Sequence, residues 1–186
     1  MNVQTIVSDR LELVSMAPAF IDDVLAGRRA EAAAWLGAAI DPSWPTDHDL
    51  LWLRRRLEQM QADASQQEWF GRVLLLRDPE PVMVGHAGFH GPPGVNGPGK
   101  PQALEVGYTV FLPYQGRGFA TEAARALMEW AQREHDIHDF IASVAPDNLA
   151  SLAVVRKLGF AQTGEQWDEE DGLELVFECR ARSSGA

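Results

Sequence analysis

Residues 104–134 read LEVGYTVFLPYQGRGFATEAARALMEWAQRE, and this stretch decides the fold. Its first eight residues are β-rich and predict a strand over 104–111. Ala123, Ala124, Leu127, Met128 and Ala131 recur at helical spacing and predict a helix over 119–134. Between them stands Gln115-Gly-Arg-Gly-Phe-Ala120. Glycines at 116 and 118 remove Cβ atoms, which lets the backbone turn tightly and aim several N–H groups into one concavity. The start of the helix adds its partial positive charge. Such a loop suits a pyrophosphate, although two glycines before a helix also make a plain turn. Other phosphate signatures are absent: there is no G-x-x-x-x-G-K-[ST], and no G-x-G-x-x-G in a first βαβ unit.

Working outward, a strand is expected at 139–144, a helix at 148–158, and two strands at about 160–167 and 172–180. Upstream, 69–77 and 82–90 are β-rich runs separated by Asp78-Pro-Glu-Pro81, a hairpin signal. Residues 91–101, GPPGVNGPGKP, exclude regular structure. Nearer the start come a short strand at 11–14 and a helix at 18–26 with Pro18 in its first turn and Gly27 as a stop. A second, Ala-rich helical piece at 28–36 ends at Gly37. A further helix at about 47–63 opens on Thr46-Asp-His-Asp49, which reads as a capping box with Asp49 in place of the usual Glu. The tail 182–186 is expected to fray. Helices come first, then mixed strands around two late helices, which predicts one α/β (α+β) domain over 1–186.

Composition narrows the class. The chain has 186 residues, 46% hydrophobic and 23% charged, as expected for a globular protein. No apolar run is long enough for a membrane helix, and MNVQTIVSDRLELV lacks the basic and apolar regions of a signal peptide, so a cytoplasmic protein without membrane partners is expected. The single cysteine, Cys179, excludes an intramolecular disulfide. His86 and His90 would share one strand face about 13 Å apart, too far for one metal, so no metal is expected. A net charge of −11 disfavours nucleic acid as a partner. It suits a cationic acceptor such as an amine, and equally a protein that is simply kept soluble.

Four ordered motifs carry a family resemblance. Gln115, Gly118 and Ala120 fit [QR]-x-x-G-x-[GA]; Asn148-Leu-Ala-Ser151 precedes Lys157-Leu-Gly-Phe160; and upstream stand Gly85-His-Ala-Gly-Phe89 and Leu104-Glu-Val-Gly-Tyr108. The chain resembles the GNAT superfamily of N-acetyltransferases, and within it the branch acting on ribosomal-protein N-termini. The resemblance is strong over 69–180 and extends to 10–65 in layout only. It implies a mixed, mostly antiparallel central sheet, flanked by helices, with a splay between two parallel strands. It also implies acetyl-CoA as cosubstrate, a primary amine as acceptor (a protein N-terminus or a small molecule), and a homodimer as one possible state. A non-catalytic acyl-CoA sensor or interaction protein is the alternative.

Residue by residue, the resemblance implies that Gln115, Gly116, Arg117, Gly118, Phe119, Ala120 and Thr121 bind the pyrophosphate. Tyr108, Thr109 and Val110 would line the splay and pair with the pantetheine arm. Asn148 would bond the same arm, and it would also serve as a helix N-cap. Many relatives carry a Tyr general acid where this chain has Val155. Ser151 fits the Asn-x-x-Ser pattern of the ribosomal branch and is expected at the thiol; a bond to a carbonyl one turn back is its other reading. Glu105 is the expected catalytic carboxylate, taking the amine's proton through water or holding the amine, unless it is an exposed strand carboxylate. By alternation it faces away from Leu104 and Val106. Trp44, in a proline-flanked loop beside the helices that carry Trp35 and Trp52, is the candidate acceptor contact, with core packing as its alternative.

Overall fold

The computed structural model describes residues 3–95, 100–169 and 172–181. Its elements in chain order are β1 (Ile6–Val7), β2 (Leu11–Ser15), α1 (Pro18–Leu25), α2 (Arg29–Leu36), α3 (Asp47–Ala62), β3 (Arg72–Leu76) and β4 (Val82–Phe89). Then follow β5 (Leu104–Val110), α4 (Phe119–His135), β6 (Asp139–Val144), α5 (Leu149–Lys157), β7 (Ala161–Asp168) and β8 (Gly172–Arg180). The tail expected to fray, 182–186, and residues 96–99 of the proline-glycine loop lie outside the described residues.

The eight strands form one sheet in the order β1-β2-β3-β4-β5-β6-β8-β7. Every pairing is antiparallel except β5 with β6. The architecture is mixed α/β, as the motifs implied. Two details differ from the sequence expectation. The strand expected from residue 69 begins at Arg72, because Asp63 accepts from the Ser65 N–H at 3.0 Å and opens a 3-10 turn over Ala64–Glu68. The two-residue β1 carries too little pattern to be read in advance.

The sheet has a core on each face. Leu104 and Val106 of β5, with Phe140, Ala142 and Val144 of β6, pack against α4 and α5; the stripe Ala123, Ala124, Leu127, Met128 and Ala131 is buried there as its spacing requires. On the opposite face, Val73, Leu75, Met83 and Phe111 pack against Phe20, Ile21, Leu53 and Leu57 of α1 and α3. Trp44 belongs to this second core. It is 2% exposed and stacked on Phe20 with ring centroids 6.2 Å apart. Its ring is packed in the interior, the core-packing reading of this residue.

The capping box of α3 is realised in full. Thr46 N and Oγ1 donate to Asp49 Oδ2 at 2.8 and 2.7 Å, and Asp49 N donates back to Thr46 Oγ1 at 3.2 Å. Asp49 Oδ1 also lies 3.3 Å from Nε2 of His86 on β4, which ties the helix to the sheet. Burial pushes the Asp49 carboxyl up, but His86 and the Thr46 donors outweigh it and hold it at about 2. A carboxylate held below its unfolded value of 3.8 contributes fully above that pH and loses its contribution as the pH falls toward 2. Asp49→Asn should therefore lower stability at pH 7 by about 2 kcal/mol. The difference from wild type should shrink below pH 4, as read by urea unfolding at several pH values.

Candidate active site

The site begins where β5 and β6 part. β5 pairs with β4 along Val106–Val110, but it pairs with β6 only at Leu104–Phe140 and Glu105–Ile141. Beyond Glu105 the two parallel strands diverge, so the following main-chain groups on that side of β5 lack a strand partner and require another one. Tyr108, Thr109 and Val110 lie along this stretch. Thr109 is exposed, and the Tyr108 hydroxyl donates to the Ser151 carbonyl at 3.4 Å. Burial pushes that phenol up to about 12, so it stays protonated and a donor.

At the end of β5 the chain makes a short turn over Leu112–Tyr114, and Gln115 Nε2 donates back to Val110 O at 2.9 Å. Gly116 and Gly118 then adopt φ values of 74° and 83°, which residues with a Cβ avoid. Gly118 is the N-cap of α4 and supplies no side-chain acceptor. The N–H groups of Phe119, Ala120 and Thr121 at the first turn are thus left for an external acceptor. The Phe119 side chain is buried, so only its main chain serves the loop.

The loop is held from behind by a residue the sequence did not single out. Arg10 Nε donates to Glu122 Oε2 at 2.7 Å, Nη1 donates to the Arg117 carbonyl at 3.1 Å, and the guanidinium lies 4.5 Å from the Phe119 ring centre. Ser8 Oγ and Arg10 N also donate to Glu122 Oε1, at 2.7 and 2.8 Å. Burial would raise the Glu122 carboxyl, but these donors outweigh it and hold it below its usual range. Beside the loop, an open groove of about 1080 Å³ runs between β1 and α4, with Arg125, Arg133 and Lys157 and also Asp9 and Glu129 on its walls.

On α5, Asn148 Oδ1 accepts from the Ser151 N–H at 3.0 Å, so Asn148 is the helix N-cap. Ser151 is half-buried and its main chain meets Tyr108 across the cleft. Glu105 faces away from the α4 core, as alternation predicts, yet it is only 7% exposed. It is not a surface carboxylate. Its Oε1 accepts from Ser143 Oγ at 2.7 Å, and Ser143 Oγ accepts from Gln166 Nε2 at 3.1 Å. Sequence spacing offered no sign of Ser143 or Gln166, which come from β6 and β7. Among the described residues, no cluster of three or more His, Cys, Asp or Glu could hold a metal ion, and no helix is long and apolar enough to cross a membrane.

Gly118→Ala should cost about 1–2 kcal/mol, because the added Cβ disfavours the left-handed backbone even though its nearest neighbour, Arg10 Nη2, is 3.6 Å away. Thermal unfolding measures that cost. Calorimetry with acetyl-CoA should show a weakened interaction in the same variant.

Known proteins share the family signature and the fold. The family model described as "Acetyltransferase (GNAT) domain" matches residues 10–161. The uncharacterized N-acetyltransferase YnaD of Bacillus subtilis (strain 168) is 32% identical over 106 residues, covering 52% of this chain and 58% of that protein. The match thus spans little more than half of that relative's length. A GNAT-family acetyltransferase structure from Bordetella pertussis has 27% identity, covers 95% of this chain and 99% of its own, and superposes with a TM-score of 0.66. The fold is also that of the ribosomal L7/L12 alpha-N-protein acetyltransferase RimL, solved in complex with coenzyme A, at a TM-score of 0.65 and 23% identity over 97% of this chain and 100% of that one. With the family model running from Arg10 at the loop clamp to Ala161 at the start of β7, the chain belongs to the GNAT acetyltransferase family.

Proposed function

We propose that this protein transfers acetyl from acetyl-CoA directly to a primary amine. The observation that carries the reading is the parting of β5 from β6 beside a glycine loop that opens α4. The diverging strands offer main-chain groups to the amide-bearing pantetheine arm, and the loop amides offer donors to the pyrophosphate. Gln115, Gly116, Arg117, Gly118, Phe119, Ala120 and Thr121 would hold the phosphates, with Arg125 and Lys157 adding charge nearby. Tyr108, Thr109, Val110 and Asn148 would hold the arm.

Glu105 is the carboxylate of the acceptor side, where it helps to take the amine's proton or holds the amine. Ser151 stands near the leaving sulfur, where Val155 leaves no phenol to donate a proton. Residues 10–65 would form the acceptor side and 69–180 the acetyl-CoA side of one working unit. A free N-terminal α-amine is the acceptor class best matched to this site, since it titrates near 7.7–8.0, whereas a lysine at about 10.4 needs more help to lose its proton.

Acetyl-CoA titrated by calorimetry should bind the wild type. Thiol release should follow with a short peptide bearing a free N-terminal alanine, and to a lesser extent with spermidine. Glu105→Gln should lower kcat by about 100-fold, within the usual range for a lost proton-transfer group. Ser151→Ala should lower it less. Acetyl-CoA binding with no thiol release for any amine would make the protein an acyl-CoA sensor instead.

A further inference from the structure

His90 is the residue that this reading has not used. It follows β4 directly, and its N–H donates to the Glu105 carbonyl at 2.9 Å, which locks the two residues side by side. Alternation from His86 and Gly88 puts its side chain on the Glu105 face of the sheet. There its Nδ1 lies 3.6 Å from Glu105 Oε1. That exceeds hydrogen-bond length, but such pairs tighten when substrate binds.

The other edge of the ring is the informative one. A Cβ on Gly107 would stand 2.7 Å from His90 Nε2 and 3.2 Å from Cδ2, so the imidazole edge bearing Nε2 lies directly over Gly107. Gly107 is two residues past Glu105, the last position at which β5 pairs with β6. Nε2 therefore lies over the residue next to the point where β5 and β6 part, while Nδ1 lies beside a carboxylate that accepts from Ser143. The side chain of His90 is 44% exposed and that of Glu105 is 5% exposed. The buried carboxylate meets a ring that itself reaches solvent. A base whose second nitrogen is oriented by a carboxylate is the arrangement that nucleophile activation uses on many folds.

We propose that His90 is the general base of the transfer and that Glu105 acts through it as the orienting carboxylate. The proposal rests on the acetyltransferase reading above and names the group that takes the proton. Nδ1 carries a proton directed at Glu105, which leaves the Nε2 lone pair free. The acceptor ammonium gives one proton to Nε2. The freed amine attacks the thioester carbonyl, the C–N bond forms, and the tetrahedral intermediate collapses with cleavage of the C–S bond. The sulfur leaves with the electron pair and takes the second amine proton, directly or by way of Ser151, to give the amide and the CoA thiol. His90 then returns its proton to solvent, which balances the one proton that an ammonium acceptor must lose. Other charged groups on this sheet face include Glu174 and Glu178 of β8, the latter paired with Lys100, Asp139 of β6 paired with Arg180 of β8, and His86, paired with Asp49.

The test compares wild type, His90→Gln and Gly107→Ala, with acetyl-CoA and the peptide bearing a free N-terminal alanine as probes. His90→Gln should keep the wild-type Tm and acetyl-CoA Kd while kcat falls by about 100-fold or more. It should also change the shape of the pH–rate profile, since the group that takes the proton is gone. Gly107→Ala, which pushes the ring aside, should share the loss of kcat. Equal kcat and an unchanged profile in His90→Gln would overturn the proposal and leave the acetyltransferase reading intact. A wild type that neither binds acetyl-CoA nor releases its thiol would overturn both. Nitrogen-15 NMR of the imidazole decides without any acceptor. Neutral His90 should carry its proton on Nδ1 in the wild type and lose that preference in Glu105→Gln. A proton on Nε2 would leave no lone pair for the amine and would overturn the proposal.

Discussion

A parallel strand pair that ends after two residue pairs is the constraint on which the rest of this molecule depends. Main-chain donors and acceptors need partners, and β5 satisfies one edge through β4 while its other edge opens after Glu105. The loop and helix that follow are placed by the same divergence. β5 runs into a short turn and then into a left-handed glycine cap, so the first turn of α4 faces the cleft. The opposite sheet face carries the row that holds Glu105, His90 and Ser143, of which Glu105 is buried and His90 reaches solvent. Phosphate donors and a carboxylate-centred polar group thus stand on either side of one opening.

Local electrostatics run against the net charge. The chain as a whole is at −11, yet the loop region gathers Arg10, Arg117, Arg125 and Lys157, and Glu122 there is committed to Arg10. Asp9 and Glu129 line the same groove, so the cations there are interleaved with carboxylates. The acceptor face carries Glu105, Glu174 and Glu178, with Lys100 engaged by Glu178.

Much of this was legible in the sequence because it is encoded locally. The stripe after Ala120, the capping box at Thr46 and the alternation that turned Glu105 away from Leu104 each depend on residues a few positions apart. What escaped depends on distant partners. Arg10 reaches Glu122 over a separation of 112 residues, and Ser143 meets Glu105 over 38. Such contacts leave no periodic trace. For Trp44 the sequence left two readings open, a loop contact and core packing, and the stacking on Phe20 of α1 shows the packing. The two-residue β1 was invisible because it is defined by its pairing with β2, not by its own composition.

The separation of the interior into two cores, one on each sheet face, has an evolutionary consequence. The glycine loop and its helix rest on the α4 and α5 side, while α1, α2 and α3 cover the other. Residues that share no neighbours change stability nearly independently. Substitutions among the helices of the second face are thus free to change that face without loosening the glycine loop and α4. A lineage built on this plan is able to diversify its partners one face at a time.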